Sequence, residues 1–219
     1  MAKYNRNETN VHDMENSDIE RQDTPATEHL HAHSSPEIVL TAETRYISIL
    51  GTGAPGTDEF YRKMAYITDV AKDLARKGYA PDSAPVIEIL YWYPEDAIAV
   101  GIADFYSINP ISSLHYRIMA WIHNDIIIED IEHEARSVGS TTVGDVKGLE
   151  IFTLPKQLAV QVMHVGPFAN EFGTLERLGA LADYYGVKRS GPHHEIHLDP
   201  FTRKTPQDRL RTILRDPVA

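Results

Sequence analysis

Gly191-Pro-His-His-Glu-Ile-His-Leu-Asp199 is the stretch around which the chain is organised, and it reads as a strand. Its counterpart upstream is Pro85-Val-Ile-Glu-Ile-Leu-Tyr-Trp-Tyr93, which also reads as a strand. Each stretch places a carboxylate, Glu195 or Glu88, among residues that a strand normally keeps apolar or aromatic. Because burial of an unpaired charge is costly, each acid is either neutralised by a partner or positioned for a ligand.

The order of elements around the two strands repeats. A strand, a glycine turn, a helix that opens with Glu-Phe (at Glu59 and again at Glu171) and a strand that contains Glu-Ile occur twice. The repeat predicts an α+β fold of two pseudo-symmetric strand–helix–strand–strand units. We expect antiparallel sheets, helices on one side and a ligand cleft between the halves. Glu88 and Glu195 are then predicted to approach this cleft from opposite sides.

The remaining elements follow from hydrophobic periodicity and turn residues. One helix is predicted over 57–77, with Phe60, Met64, Ile67, Ala71 and Leu74 inward, and another over 170–185, with Phe172, Leu175, Leu178 and Ala182 inward. Further helices are predicted over 128–138 and from Thr205-Pro206 onward, the latter with Leu210, Ile213 and Leu214 on its apolar face. The predicted strands are 38–40, 46–50, 86–93, 97–105, 115–123 and 192–198, together with a hairpin of 148–154 and 157–165.

The length of 219 residues suits one globular domain, or one domain of two similar halves. Residues 1–36 are polar and almost free of aromatics, so we predict a disordered tail there. The folded domain is expected over 37–219, with halves at roughly 43–123 and 124–219.

Composition excludes several functional classes. The net charge of −11 argues against nucleic acid as a partner, because phosphate binding needs clusters of Lys and Arg. The chain has no cysteine, which rules out disulfides and thiol chemistry. Apolar runs are too short to span a bilayer, and the N-terminus lacks a hydrophobic signal core. A cytoplasmic protein without membrane contact is the expectation.

A glycine motif precedes the first long helix. Gly51-x-Gly53-x-x-Gly56 matches the dinucleotide fingerprint. The preceding strand alternates polar and apolar residues, however, and Pro55 removes a backbone N–H where a pyrophosphate needs one. A plain strand-to-helix turn is therefore favoured, and no cofactor is expected.

Histidines flank Glu195 on the same predicted strand. His193, Glu195 and His197 alternate, so their side chains share one face, and together they could be metal ligands. The absence of a fourth ligand favours hydrogen bonds to Glu195, or a place along the cleft, over a metal site. In the tail, His29-x-His31-x-His33 could hold a stray ion, although a solvated tail is the favoured interpretation.

Aromatic side chains accompany the acids. Tyr91 and Trp92 follow Glu88, and carboxylates between aromatic walls suit flat or cationic ligands. A carboxylate kept from water can also serve as a general acid or base.

Other aromatic residues are placed by strand geometry. Tyr116 and Trp121, five apart on one predicted strand, should point to opposite faces, one into the core and one towards the cleft. Phe105 and Tyr106 are expected in the core or a turn rather than in the site.

The C-terminal motif resembles the gyrase-inhibitor-like (GyrI-like) small-molecule-binding domain family, in its stand-alone bacterial branch. The resemblance runs from about Glu43 to the C-terminus. Its motifs are Tyr46-Ile-Ser-Ile-x-Gly-Thr-Gly-Ala-Pro-Gly56, Gln161-x-x-His164-x-Gly166-Pro167-Phe168, His193-His-Glu-Ile-His-Leu-Asp-Pro200, then Arg203, Thr205-Pro206 and Leu210-Arg-Thr-Ile-Leu-Arg-Asp-Pro-Val218.

The resemblance implies a duplicated fold whose aromatic-lined cleft binds planar or cationic drug-like molecules near a central Glu, here Glu195. Some stand-alone members resemble hydrolases that open the strained cyclopropane of alkylating natural products for detoxification, with a Glu that activates water. Together with the repeat, which adds Glu88, the predicted site has Glu195 and Glu88 as catalytic residues and His197, His193, Tyr91, Trp92, Trp121, Tyr116 and Phe168 around the ligand. His197 stands where similar sequences usually have Tyr. The alternative is a non-catalytic ligand-sensing or protein-binding module.

Overall fold

The computed structural model describes residues 28–81, 83–123, 126–129, 131 and 148–219. Eight strands and two long helices lie within these residues. They are β1 Glu37–Thr41, β2 Thr44–Thr52, α1 Asp58–Arg76, β3 Ile87–Trp92, β4 His115–Trp121, β5 Leu149–Leu154, β6 Gln157–Val165, α2 Glu171–Tyr185, β7 His193–His197 and β8 Arg211–Pro217. None of these described helices has the length and apolar character needed to cross a membrane.

The strands form one antiparallel sheet in the order β1-β6-β8-β7-β3-β4-β2-β5, which is not closed into a barrel. The order is symmetric about the central pair β3 and β7, each of which leads outward to a strand of its own repeat. Helix α1 packs on β2 and β4, and α2 packs on β6. The α+β fold of two pseudo-symmetric strand–helix–strand–strand units is therefore confirmed.

Both helices pack on the same face of the sheet. Thr57 caps α1 by accepting a hydrogen bond from the Phe60 backbone N–H at 3.3 Å. The predicted inward residues of α1 are all buried, and in α2 Leu175, Leu178 and Ala182 are buried. Phe172 is 45% exposed, so its predicted inward position is wrong.

Register in the central pair determines where the two acids point. Glu88 lies opposite Ile196, and Glu195 lies opposite Ile89. Residues paired across strands share a face, and successive residues alternate. Glu195 therefore joins Ile89 on the helix-bearing face, whereas Glu88 points to the other, open face. The prediction that the two acids meet in one cleft is wrong.

The error is a shift of one residue in the repeat. A two-fold axis through the centre of the Ile89–Glu195 pair brings Ile89 onto Glu195 and Glu88 onto His194. Matching the two Glu-Ile dipeptides instead moves one strand by a single position, and such a shift reverses every side chain to the opposite face.

The glycine motif serves packing and turns. Gly51 is paired with Tyr116, and a Cβ on Gly51 would lie 2.2 Å from the Tyr116 ring. Gly53 and Gly56 have φ values of 101° and 85°, which L side chains rarely adopt. The motif thus lets β2 pass closely over an aromatic ring and then turn into α1.

Gly51→Ala is expected to destabilise the fold by about 1–3 kcal/mol, because the buried Tyr116 ring must move away from the new methyl group. Urea unfolding measures the loss. Gly173→Ala, at a helical position where a Cβ meets nothing within 4 Å, is the control and should be neutral or stabilising. Equal effects from the two substitutions would contradict this explanation of the motif.

Three predicted elements differ from the structure. Residues 97–105 are irregular, because the Asn109 side chain bonds both backbone groups of Ile98. The final helix is wrong: β8 forms instead, since it pairs with both β6 and β7. Strands β5 and β6 do not pair with each other as a hairpin; β5 pairs with β2, and β6 pairs with β1 and β8. The predicted helix over 128–138 falls largely outside the described residues.

The end of the predicted tail lies against the open face. The Met163 N–H donates to the His33 carbonyl at 2.7 Å, and Gln161 donates to the His31 carbonyl at 3.0 Å. Ala32 is buried against Ile196 and Ile213. Residues 28–33 therefore cover part of the open face, while residues 1–27 lie outside the described residues.

Candidate functional site

A cavity of about 350 Å³ opens on the helix-bearing face, between the N-terminal ends of α1 and α2. Strands β3 and β7 form its floor. Its walls combine seven aromatic rings with two carboxylates and one imidazole: Phe60, Tyr61, Tyr91, Tyr106, Phe168, Phe172, Phe201, Glu171, Glu195 and His197. This size and apolar lining are typical of small-molecule sites.

The Glu195 carboxylate lies at the centre of the floor and is 5% exposed. The Tyr106 hydroxyl donates to its Oε1 at 2.6 Å. His197 Nε2 lies 3.2 Å from Oε2, and His193 Nε2 lies 3.7 Å from Oε1. Glu195 is therefore enclosed by groups that favour its charged form.

The charge of Glu195 is maintained against desolvation. Burial by itself would raise the pKa of this carboxyl, but the contacts with His193 and His197 outweigh burial and hold the pKa of Glu195 well below its usual range. The carboxylate is consequently ionised at neutral pH.

His193 connects Glu195 to a second buried acid. Its Nδ1 lies 2.9 Å from Asp216 Oδ2, and neither side chain is exposed. Burial would lower the pKa of His193, but the charge of Asp216, the hydrogen bond with Asp216 and the nearby carboxylate of Glu195 raise it from 6.5 to about 10. His193 is thus an imidazolium held between two carboxylates.

This network predicts a pH dependence. Because the folded-state pKa of His193 is raised to about 10, its contribution to stability is complete below its ordinary value of 6.5 and is lost as the pH rises towards 10. Asp216→Asn should destabilise the protein most near pH 6. Above that pH, the difference in free energy of unfolding between wild type and variant should decrease by up to about 1.4 kcal/mol per pH unit. Urea unfolding of both proteins between about pH 6 and pH 10 measures this difference. A difference that does not change with pH would contradict the assignment of His193 as an imidazolium paired with Asp216.

Glu171, the first residue of α2, lines the same cavity and is 4% exposed. Its Oε1 is buried and has no hydrogen-bond partner among the described residues. Burial and the charge of Glu195 raise the pKa of Glu171 well above its usual value, and His193 offsets this only in part. Two carboxyl groups with pKa values pushed in opposite directions therefore share one cavity.

A second and larger cavity of about 650 Å³ adjoins the first. The two share Tyr61, His197 and Phe201. The Phe201 ring packs 4.6 Å from His197 and 5.1 Å from Phe168, centre to centre. These rings separate the Glu195 cavity from a groove along α1.

Glu88 is enclosed in a separate cluster on the open face. His29 Nε2 lies 2.7 Å from its Oε1, and His194 Nε2 lies 2.8 Å from its Oε2, where the Tyr46 hydroxyl also donates at 3.1 Å. Burial would raise the pKa of Glu88, but the charge of His29 and the bonds from both histidines hold it below its usual range. Burial lowers the pKa of His194 to about 4. The carboxylate is fully satisfied within the protein.

The structure divides the predicted site residues into three groups. Those that line the Glu195 cavity are Glu195, His197, Tyr91 and Phe168. Two lie on the same face without lining the cavity: His193 behind Glu195, and Tyr116 in the core below Phe60. Glu88, Trp92 and Trp121 point to the open face, where Trp121 contacts His29 and Trp92 contacts His115. Tyr116 and Trp121 have opposite orientations, as predicted, but the expectation that one of them faces the cleft is wrong, because neither lines the cavity.

Two site residues escaped sequence reasoning. Tyr106 was expected in the core or a turn, yet it hydrogen-bonds to Glu195 from an irregular loop. Glu171 was noted only as part of the repeated Glu-Phe helix opening. That opening was the only signal in the sequence, and it did not distinguish Glu171 from Glu59, which is exposed and does not line the cavity.

Metal binding at His193, Glu195 and His197 has no geometric support. Within the described part of the chain, no group of three His, Asp or Glu residues is placed to hold a metal ion. The Nδ1 atom of His193 is directed to Asp216 instead.

Neither a protein-family model nor a curated protein matches the chain. Solved structures share its fold. An uncharacterized conserved protein from Listeria innocua is 22% identical, with a TM-score of 0.65 over 86% of this chain and 94% of that one. A hydrolase from Listeria innocua is 19% identical, with a TM-score of 0.67 over 87% and 94%. The EcmrR C-terminal domain is 12% identical, with a TM-score of 0.57 over 84% and 97%.

These likenesses support a GyrI-like fold. At such identities they show the fold alone, so function must be argued from the site.

Proposed function

We propose that the chain binds planar cationic small molecules in the Glu195 cavity, as a member of the GyrI-like family. The observation that carries the proposal is an ionised, 5% exposed carboxylate on the floor of an aromatic-walled cavity of about 350 Å³. Ring faces attract cations, and a desolvated carboxylate strengthens that attraction.

The local charge balance favours a cation over an anion or a neutral ligand. His193 carries one positive charge between two carboxylates, Asp216 at 2.9 Å and Glu195 at 3.7 Å, so these three groups retain one negative charge, and Glu195 is the carboxylate that lines the cavity. The aromatic walls supply stacking surfaces for a flat ring system. A positively charged planar ligand satisfies both features at once.

Calorimetric titration with a matched pair of ligands tests the proposal. N-methyl-4-phenylpyridinium carries a permanent charge, whereas 4-phenylpyridine is nearly the same shape and uncharged at about pH 8. The cation should bind at least about tenfold more tightly, equivalent to about 1.4 kcal/mol. Equal affinities, or no binding of either ligand, would oppose a cation site.

Hydrolysis is a second candidate, favoured by the opposed carboxyl groups. Glu195 is ionised and can accept a proton from water, whereas Glu171 is poised to donate one. Addition of water across a strained cyclopropane needs such a pair: one C–C bond breaks, hydroxide joins one carbon and a proton joins the other. Ring opening of a cyclopropane-bearing alkylator by wild type, and its loss in Glu195→Gln, would establish turnover. Equal product from both proteins would exclude it.

A further inference from the structure

We propose, on the basis of the proposed function, that the cavity accepts planar dications, with Glu195 facing one positive charge and Glu171 facing the second. Both carboxyl groups line the same cavity, one from β7 on the floor and one from the first turn of α2. A ligand that spans floor and wall therefore contacts both.

The carboxyl group of Glu171 has an unsatisfied hydrogen-bonding atom. Its Oε1 is buried and lacks a hydrogen-bond partner in the described part of the chain. Buried polar atoms of this kind are rare and call for an explanation. Glu195, by contrast, already accepts a hydrogen bond from the Tyr106 hydroxyl at 2.6 Å. The unpaired Oε1 of Glu171 is the atom that a second ligand group would satisfy.

Among the described residues no cationic side chain forms an ion pair with Glu171, although the charge of His193 acts on it from further away. The charged and titratable groups around it are Glu195, His193 and His197 on β7, Tyr91 on β3, Tyr61 on α1 and the loop residue Tyr106. His193 is already shared between Asp216 and Glu195. Burial and neighbouring carboxylates raise the pKa values of Tyr91 and Tyr106, which keeps both neutral.

Binding of a dication is expected to release the proton of the Glu171 carboxyl group. The raised pKa of Glu171 keeps its carboxyl neutral when no second cation is present. A positive ligand charge beside it favours the carboxylate, so the O–H proton passes to the buffer as the dication binds. By linkage, dication affinity then increases with pH by up to about tenfold per unit, between the pKa values of the bound and free states.

Two ligands of almost the same shape test this inference: methyl viologen, a dication, and N-methyl-4-phenylpyridinium, a monocation. Calorimetry near pH 6 in two buffers of different ionisation enthalpy gives the protons released per ligand bound. We expect close to one more proton for methyl viologen than for the monocation. Glu171→Gln, a neutral isostere of the protonated acid, should abolish this difference and weaken methyl viologen binding at least about tenfold. The same substitution should weaken binding of the monocation less than it weakens binding of methyl viologen.

The failures of the two proposals are distinguishable. If the monocation binds in a Glu195-dependent manner but methyl viologen releases no extra proton, only the dication inference is overturned. Proton release that persists in Glu171→Gln overturns it as well, because the proton then comes from another group. If neither ligand binds, or if Glu195→Gln binds both as wild type does, the proposed function itself fails.

Discussion

Glu195→Gln is expected to weaken binding of N-methyl-4-phenylpyridinium about 10- to 100-fold, which corresponds to about 1.4–2.8 kcal/mol. The substitution keeps the size of the side chain and one acceptor oxygen, replaces the other oxygen with an NH2 donor, and removes the charge that faces the cavity. Binding of uncharged 4-phenylpyridine at about pH 8 should change less than about twofold, because the aromatic walls remain. Isothermal titration calorimetry measures both.

A matched control is available on α2. Glu176 is exposed on the same helix that carries Glu171, and Glu176→Gln changes the net charge by the same amount without touching the cavity. It should bind both ligands as wild type does. If Glu195→Gln loses affinity for the neutral ligand as strongly as for the cation, the carboxylate shapes the cavity rather than recognising charge.

Glu88→Ala should destabilise the fold by about 3–5 kcal/mol, because each buried hydrogen-bonding group that loses its partner costs about 1–3 kcal/mol. Glu88 accepts bonds from His29, His194 and Tyr46, so truncation leaves three polar groups in an apolar setting. Urea unfolding at neutral pH gives the loss. The control is Glu59→Gln on the surface of α1, which removes an exposed ion pair with Arg62. This variant should lose only about 0–1 kcal/mol of stability.

The same cluster separates a structural role from a catalytic one. The isosteric Glu88→Gln should be less stable than wild type yet bind N-methyl-4-phenylpyridinium within about twofold of it, because Glu88 points to the face opposite the cavity. A large loss of ligand affinity in folded Glu88→Gln protein would restore Glu88 to the site and contradict the separation of the two acids.

Duplication made the fold predictable from sequence. The repeated order of strand, helix and strands defines the units, and the helix periodicity around Phe60 and Leu175 identifies the buried faces. The β8 strand was not predictable in this way. Leu210, Ile213 and Leu214 also fit a helix, and only pairing with β6 and β7 selects the strand.

The site was predictable only in part. Side chains alternate between the two faces of a strand, so an alignment error of one residue assigns every side chain to the opposite face. Glu195 lines the cavity, but its match to Glu88 was one residue out, and that error placed Glu88 and Trp92 on the wrong face. Tyr106 reaches Glu195 from a loop 89 residues away in sequence, and no local pattern encodes such a contact. The contacts that connect Glu195 through His193 to Asp216 likewise depend on the pairing of β7 with β8.

A crystal structure with 4-(4-bromophenyl)-N-methylpyridinium tests the central claim most directly, because bromine anomalous scattering locates the ligand independently of the protein phases. We predict a single strong peak on the helix-bearing face, among Tyr91, Phe168 and Phe201, with the pyridinium ring next to Glu195. A peak on the open face beside Glu88, or only in the groove along α1, would contradict the assignment of the Glu195 cavity as the binding site.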